Sequence, residues 1–220
     1  VGAVGCGAES GNVPTKLLFP CALPPTPSRR EGELIANPQP LMSDSIQDRL
    51  LAALRDIVDF PKPGIVFKDI TPLLGDGETF ALAIDTWATR YRDQAIDRIV
   101  AIESRGFLFG APLAHALGCG LALVRKPGKL PAASYSESYD LEYGSDTLEI
   151  HTDALGRGDR VVIVDDLIAT GGTLAATVKL VERLQAEVVE IAALVELSFL
   201  GGRRRLSGHA VYALITIDGE

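Results

Sequence analysis

Thirteen residues, VVIVDDLIATGGT at 161–173, restrict this chain more than any other stretch of it. Four β-branched apolar residues, Val161 to Val164, run into the adjacent acids Asp165 and Asp166. A loop of small residues follows, Ala169-Thr170-Gly171-Gly172-Thr173, and a helical pattern opens at Leu174. An apolar run of this kind reads as a parallel strand buried on both faces. Its acids then lie at the carboxyl end of the strand, where open α/β sheets place their ligands. The loop feeds a helix N-terminus, whose unpaired N–H groups favour an anion. Its glycines allow close approach of the backbone, and the Thr170 and Thr173 hydroxyls can donate to phosphate oxygens. Two acids beside a phosphate cradle would repel a bare phosphate, but they suit ribose hydroxyls or a Mg²⁺ ion. The pattern therefore fits a ribose 5-phosphate better than a nucleoside triphosphate. It is not a Walker A loop, because no Gly-Lys-Ser/Thr follows the glycines.

Composition narrows the setting. A chain of 220 residues with 47% hydrophobic content can bury the core of one α/β domain. A formal charge of −8 argues against general affinity for nucleic acid or anionic membrane. No apolar stretch approaches the length of a membrane span. Cys6, Cys21 and Cys119 form no C-x-x-C pair, and His115, His151 and His209 are scattered. Neither a disulfide framework nor a zinc site is indicated, which fits a reducing cytoplasm.

Residues 1–41 are rich in Gly, Pro and Ser and carry no helical or strand period, which predicts disorder. Met42 is the only methionine, and a helix-start pattern follows it at Ser43 and Asp44. The expectation is that 1–41 is a disordered, non-native or mis-called extension and that 42–220 is a single domain. Upstream peptides in mass spectra of the native protein would contradict this.

From Met42 the periodicity predicts a helix over 43–58, an irregular segment over 59–75 and a helix over 77–94. Strand 98–102 then leads through Glu103-Ser104-Arg105-Gly106 into helix 107–117. Strand 121–124 leads into a long polar loop, and strands at 147–151 and 160–164 follow. Helix 174–185, strand 188–196, a solvated turn at Arg203-Arg204-Arg205 and strand 210–217 complete the chain. Alternating strands and helices call for a mainly parallel twisted sheet flanked by helices.

Three further segments carry chemistry. The turn at 103–106 joins a strand to a helix start and offers N–H groups and an arginine, which together suit a diphosphate. The segment Arg125-Lys126-Pro127-Gly128-Lys129-Leu130-Pro131 continues through Tyr139-Asp140-Leu141-Glu142-Tyr143-Gly144. A long polar connection inside an α/β domain is often a lid. Finally, Phe60-Pro61-Lys62-Pro63-Gly64-Ile65-Val66-Phe67-Lys68-Asp69 is a proline-stiffened stretch with an apolar stripe.

The 161–173 stretch resembles the phosphoribosyl diphosphate (PRPP) signature of type I phosphoribosyltransferases. The other three segments resemble, in the same order, the diphosphate loop, flexible catalytic loop and purine hood of that family's adenine-specific branch. The resemblance spans about residues 43–200. It implies a type I phosphoribosyltransferase fold with a small hood and a flexible loop, and formation of AMP and diphosphate from adenine and PRPP in purine salvage. It implies that Ala169, Thr170, Gly171, Gly172 and Thr173 cradle the 5′-phosphate. Glu103, Ser104, Arg105, Arg125, Lys126 and Lys129 would serve the diphosphate, across a non-proline cis peptide at Glu103–Ser104. Backbone groups of Val66 and Lys68 would read the adenine edge, with Phe67 and Leu167 packing on the ring. Glu142, Arg105, Asp165 and Asp166 would be catalytic, with Glu142 as general acid/base at adenine. Mg²⁺ would be held by PRPP and waters near Asp165 and Asp166, with no direct protein ligand. A homodimer follows from the resemblance too, with Arg125 near the partner's site. Two alternatives stay open on sequence grounds: transfer to another purine such as xanthine, and a non-catalytic PRPP-binding regulator.

Overall fold

The computed structural model describes residues 45–140 and 145–219. The upstream segment, with Met42, lies outside the described residues, and so does Glu142.

The described chain contains α1 (Ile46–Ala52), β1 (Arg55–Val58), β2 (Val66–Asp69), α2 (Thr71–Gly75), α3 (Gly77–Tyr91), β3 (Arg98–Ile102) and α4 (Gly106–Leu117). It continues through β4 (Gly120–Arg125), β5 (Ser134–Asp140), β6 (Ser145–His151), β7 (Arg160–Ile168), α5 (Gly172–Arg183), β8 (Glu187–Leu197) and β9 (Val211–Ile217). Seven strands form one sheet in the order β5-β6-β4-β3-β7-β8-β9. The β4-β3-β7-β8-β9 pairings are parallel, and the β5–β6 and β6–β4 pairings are antiparallel. From β3 the chain winds through α4 to β4 on one side, and from β7 it winds through α5 to β8 on the other. The winding thus reverses between β3 and β7, and a crevice opens outside their carboxyl ends.

The apolar strands alternate between two cores, as a period of two requires. Val161 and Ile163 of β7 face Leu174, Val178 and Val181 of α5. Val162 and Val164 face the other side, with Trp87 of α3 and Phe109 and Leu113 of α4. The Trp87 and Phe109 rings meet edge to face at 5.7 Å between centroids. Both faces of β7 are therefore covered, which is why the sequence shows an unbroken apolar run.

The structure corrects four expectations. The helix expected over 43–58 stops at Ala52, and Arg55–Val58 forms β1. β1 pairs antiparallel with β2, so the expected irregular segment 59–75 contains a strand and the short helix α2. Arg55 locks this hairpin by donating to Asp69 at 2.6 Å, and the turn between the strands carries a cis Phe60–Pro61 bond. The expected polar loop after β4 contains β5, fully paired with β6. Its alternate residues face α5: Tyr135 stacks on Arg183 at 4.1 Å, Glu137 binds Lys179 at 2.8 Å, and Tyr139 accepts from Thr173 at 3.3 Å. Polar and aromatic partners replace the apolar alternation by which a strand is usually read. The strand expected over 160–164 runs on to Ile168, which places Asp165 and Asp166 inside β7 beside β8.

The arginine run likewise differs from a plain solvated turn. Residues Gly202–Leu206 form a 3₁₀ turn in which Arg203 pairs bidentately with Glu196, at 2.6 Å to each oxygen. Glu196 is only 2% exposed, and a carboxylate so buried requires a charged partner. Among the described residues no helix is long and apolar enough to cross a membrane.

Candidate active site

Three contiguous hollows open at the β3/β7 reversal, and Arg105 and Asp166 border all three. The largest, about 400 Å³, is lined by Glu103, Ser104, Lys126, Tyr139, Asp146 and Asp165, among others. The second is formed by Leu167 and the loop Ala169–Thr173. The third, about 180 Å³ and mainly apolar, lies between Ile65–Lys68 of the hairpin and Leu167, Val195 and Leu197.

The loop Ala169–Thr173 turns on Gly171, whose φ of +78° makes the tight entry into α5 at Gly172. The N–H groups of that first helical turn lack intrahelical acceptors, so they are available to an anion. At the end of β3, the Glu103–Ser104 peptide is cis. Partial burial pushes the Glu103 carboxyl up, but the Lys126 N–H at 3.0 Å and the Arg125 guanidinium at 3.2 Å outweigh it, and the group sits below the usual carboxylate range. Arg105 extends from this turn to Asp166 at 2.6 Å, and its guanidinium lies 5.9 Å from the Phe67 ring centroid. It therefore connects the diphosphate-type turn, the acid pair and the hairpin.

The acids themselves are electrostatically strained. Burial, reinforced by the neighbouring Asp166 charge, pushes the Asp165 carboxyl well above the usual range. Burial raises Asp166 as well, with Arg105 opposing it. Two adjacent carboxylates held this way suit a cation or hydroxyl donors. Among the described residues no group of three or more His, Cys, Asp or Glu side chains gathers as a metal cluster.

The chain matches known proteins over most of its length. A phosphoribosyl transferase domain model matches residues 74–211. The adenine phosphoribosyltransferase of Geobacter metallireducens is 54% identical over 169 residues, covering 77% of this chain and 99% of the relative. The chain belongs to the adenine phosphoribosyltransferase family. The crystal structure of the Thermoanaerobacter pseudethanolicus member superposes with a TM-score of 0.75 at 53% identity, covering 78% of this chain and 99% of that one. The Saccharomyces cerevisiae member, complexed with an imino-altritol bisphosphate and adenine, gives 0.74 at 44% identity and covers 77% and 98%. The type I phosphoribosyltransferase fold is thereby established, as is a pentosyltransferase activity that forms AMP and diphosphate from adenine and PRPP. The readings of a xanthine enzyme and of a non-catalytic regulator give way to it.

Most of the site residues read from the sequence converge on this cleft. Glu103, Ser104, Arg105, Lys126, Asp165, Asp166, Leu167 and Ala169–Thr173 border the first two hollows, and Val66, Phe67 and Lys68 border the third. Arg125 and Lys129 instead line a separate cavity with Leu121, Leu123 and Pro131. Two polar residues without an assigned role also enter the cleft: Tyr139, and Asp146, which pairs with Lys126 at 3.4 Å. Tyr139 stood inside a motif already singled out, whereas Asp146 is one acid among many polar neighbours and carries no distinguishing spacing.

The raised Asp165 carboxyl has a thermodynamic consequence. Folding favours its neutral form, so its contribution to stability is present below the ordinary carboxylate range and is lost as pH rises through the raised value. Asp165→Asn keeps an oxygen to accept the Asp166 N–H, now bonded at 2.9 Å, and removes the ionisable group. Its thermal midpoint is expected to rise at neutral pH, by roughly 2–4 °C per kcal/mol recovered, and to converge with the parent at acid pH. A fall in midpoint, or an equal gain at both pH values, contradicts the assignment.

Proposed function

We propose that the cleft divides phosphoribosyl transfer among its three hollows. The convergence of the Ala169–Thr173 loop, the Asp165/Asp166 pair and Arg105 on one crevice carries this reading. The loop holds the 5′-phosphate through N–H groups and the Thr170 and Thr173 hydroxyls. Asp165 and Asp166 accept from the ribose hydroxyls. Glu103, Ser104, Arg105 and Lys126 face the diphosphate, with Arg105 exchanging Asp166 for the departing charge. Mg²⁺, bound with PRPP and waters near Asp165 and Asp166, supplies charge neutralisation for the leaving diphosphate. The bond from C1 to diphosphate breaks and the bond from adenine N9 to C1 forms, while the N9 proton passes to a base. Glu142 is that base, delivered by the catalytic loop, which shields the cationic sugar from water.

Adenine occupies the apolar hollow between Phe67 and Leu167. β2 has one edge without a strand partner among the described residues, and Val66 and Lys68 are two residues apart on it. A backbone C=O there accepts from the exocyclic amine, and an N–H donates to a ring nitrogen. A 6-oxopurine reverses this pattern and strands buried groups at about 1–3 kcal/mol each.

The enzyme acts as a cytoplasmic homodimer. Supporting the dimer, Leu121 and Leu123 are 38% and 37% exposed and line the same cavity as Arg125 and Lys129. Arg125 then serves a site shared with the partner, and a solution mass of one chain would contradict this. The scattered cysteines support the cytoplasm.

Glu142→Ala tests the proton-transfer role. General base catalysis contributes about 10²–10⁴-fold, so kcat should fall by at least the lower figure with the PRPP KM little changed. A near-parental kcat removes Glu142 from the catalytic set.

A further inference from the structure

The Gly201–Leu206 segment has no part in the division of labour above, yet it lies directly beneath the phosphate loop. Gly202 is buried, and a β-carbon there would collide with the Ala169 carbonyl oxygen and reach within 2.9 Å of the Ile168 side chain and 3.1 Å of the Gly171 nitrogen. The reverse holds as well: a β-carbon on Gly171 would stand 2.6 Å from the Gly202 carbonyl oxygen. The two backbones are therefore in direct contact, with no side chain between them.

Both ends of the turn are fixed. Leu206 is buried in the α5-side core at 2% exposure. Arg203 holds the other end. Its Nε and Nη2 donate to the two Glu196 oxygens at 2.6 Å each, and its Nη1 donates to the Val211 carbonyl at 3.0 Å. Glu196 sits in β8 opposite Ile168, the last residue of β7 before the phosphate loop. Bidentate pairing of a planar guanidinium fixes direction as well as distance. The fork is engaged by these partners, so Arg203 is oriented away from any role as a phosphate ligand.

We propose that Gly202, Arg203 and Glu196 are positioning residues for the 5′-phosphate: the Arg203–Glu196 pair clamps Gly202 under Ala169–Thr173 and so sets the direction of the loop's N–H donors. This rests on the reading of that loop as the 5′-phosphate site. A cradle of N–H groups is effective only when it is held in place before the ligand arrives, and small misplacements are penalised steeply. The contact explains why a Gly-Gly pair and an arginine follow β8 in a chain whose acidic balance gives no reason for a basic patch.

The test uses the full chain, with AMP binding by calorimetry and KM values for PRPP and adenine measured separately. Arg203→Lys keeps the charge and loses the fork, and Gly202→Ala intrudes on the loop. Each should raise the PRPP KM and the AMP Kd about tenfold or more while leaving the adenine KM within about twofold. Arg205→Ala, an exposed neighbour, should change none of them. A purely structural role would lower the thermal midpoint alone, so unchanged PRPP and AMP affinities in folded Arg203→Lys overturn the proposal. An equal loss in Arg205→Ala also overturns it, by pointing to general charge attraction. Thr170→Ala and Thr173→Ala separate the underlying reading: if they too leave PRPP and AMP affinity intact, the loop is not the phosphate site. If only they weaken it, the loop reading stands and the clamp does not.

Discussion

Asp166→Asn should lower kcat/KM for PRPP roughly 100-fold or more while leaving the protein folded. The carboxylate borders all three hollows and pairs with Arg105 at 2.6 Å. An amide keeps its shape but loses half its acceptor capacity toward ribose hydroxyls and the waters of a cation. Stability is expected to change little, for two opposing reasons. Removing one partner of a buried ion pair is usually severe because it abandons a buried charge. Here the abandoned partner is Arg105, whose side chain is 46% exposed and so remains hydrated. The same change relieves Asp165 of a like charge that pushes its carboxyl upward. Steady-state kinetics alongside thermal unfolding check this: near-parental turnover removes the ribose role, and a collapsed fold removes the claim that the pair is functional.

Gly171→Ala is expected to be damaging in both respects. A side chain at φ +78° is disfavoured by about 1–2 kcal/mol. The added carbon also meets the Gly202 carbonyl oxygen at 2.6 Å, and a backbone atom cannot swing aside as a flexible side chain would. The loop must shift, and its donors shift with it. The PRPP KM should rise about tenfold or more, and the thermal midpoint should fall. An unchanged PRPP KM in the folded variant would mean that the loop geometry is not what binds the phosphate.

Legibility of the fold followed burial. β7 and its loop were plain in the sequence because both faces of the strand are covered, so no polar residue interrupts Val161–Val164. The end of α1 was not, because Leu50, Leu54 and Ile57 continue a helical spacing across the boundary into a four-residue strand. That strand is held by Arg55–Asp69 and Lys68–Asp56 pairs across the hairpin, not by an apolar face. β5 was hidden for a related reason: its inward positions Tyr135, Glu137 and Tyr139 alternate with serines and carry polar partners on α5, Arg183, Lys179 and Thr173, so no aliphatic alternation marks the strand. In the site, residues on the two strand-end turns were legible from local motif order. Asp146 and the Arg203–Glu196 clamp were not, since their partners come from distant segments and only the folded sheet brings them together.

AMP formation from adenine and PRPP with Mg²⁺, with hypoxanthine, guanine and xanthine assayed in parallel, tests the account most directly. Turnover confined to adenine is the predicted result, since the backbone edge of β2 and the cleft beneath it then act together. Equal turnover with a 6-oxopurine would contradict the backbone reading of the base, and no turnover with any base would contradict the cleft as the place where phosphoribosyl transfer occurs.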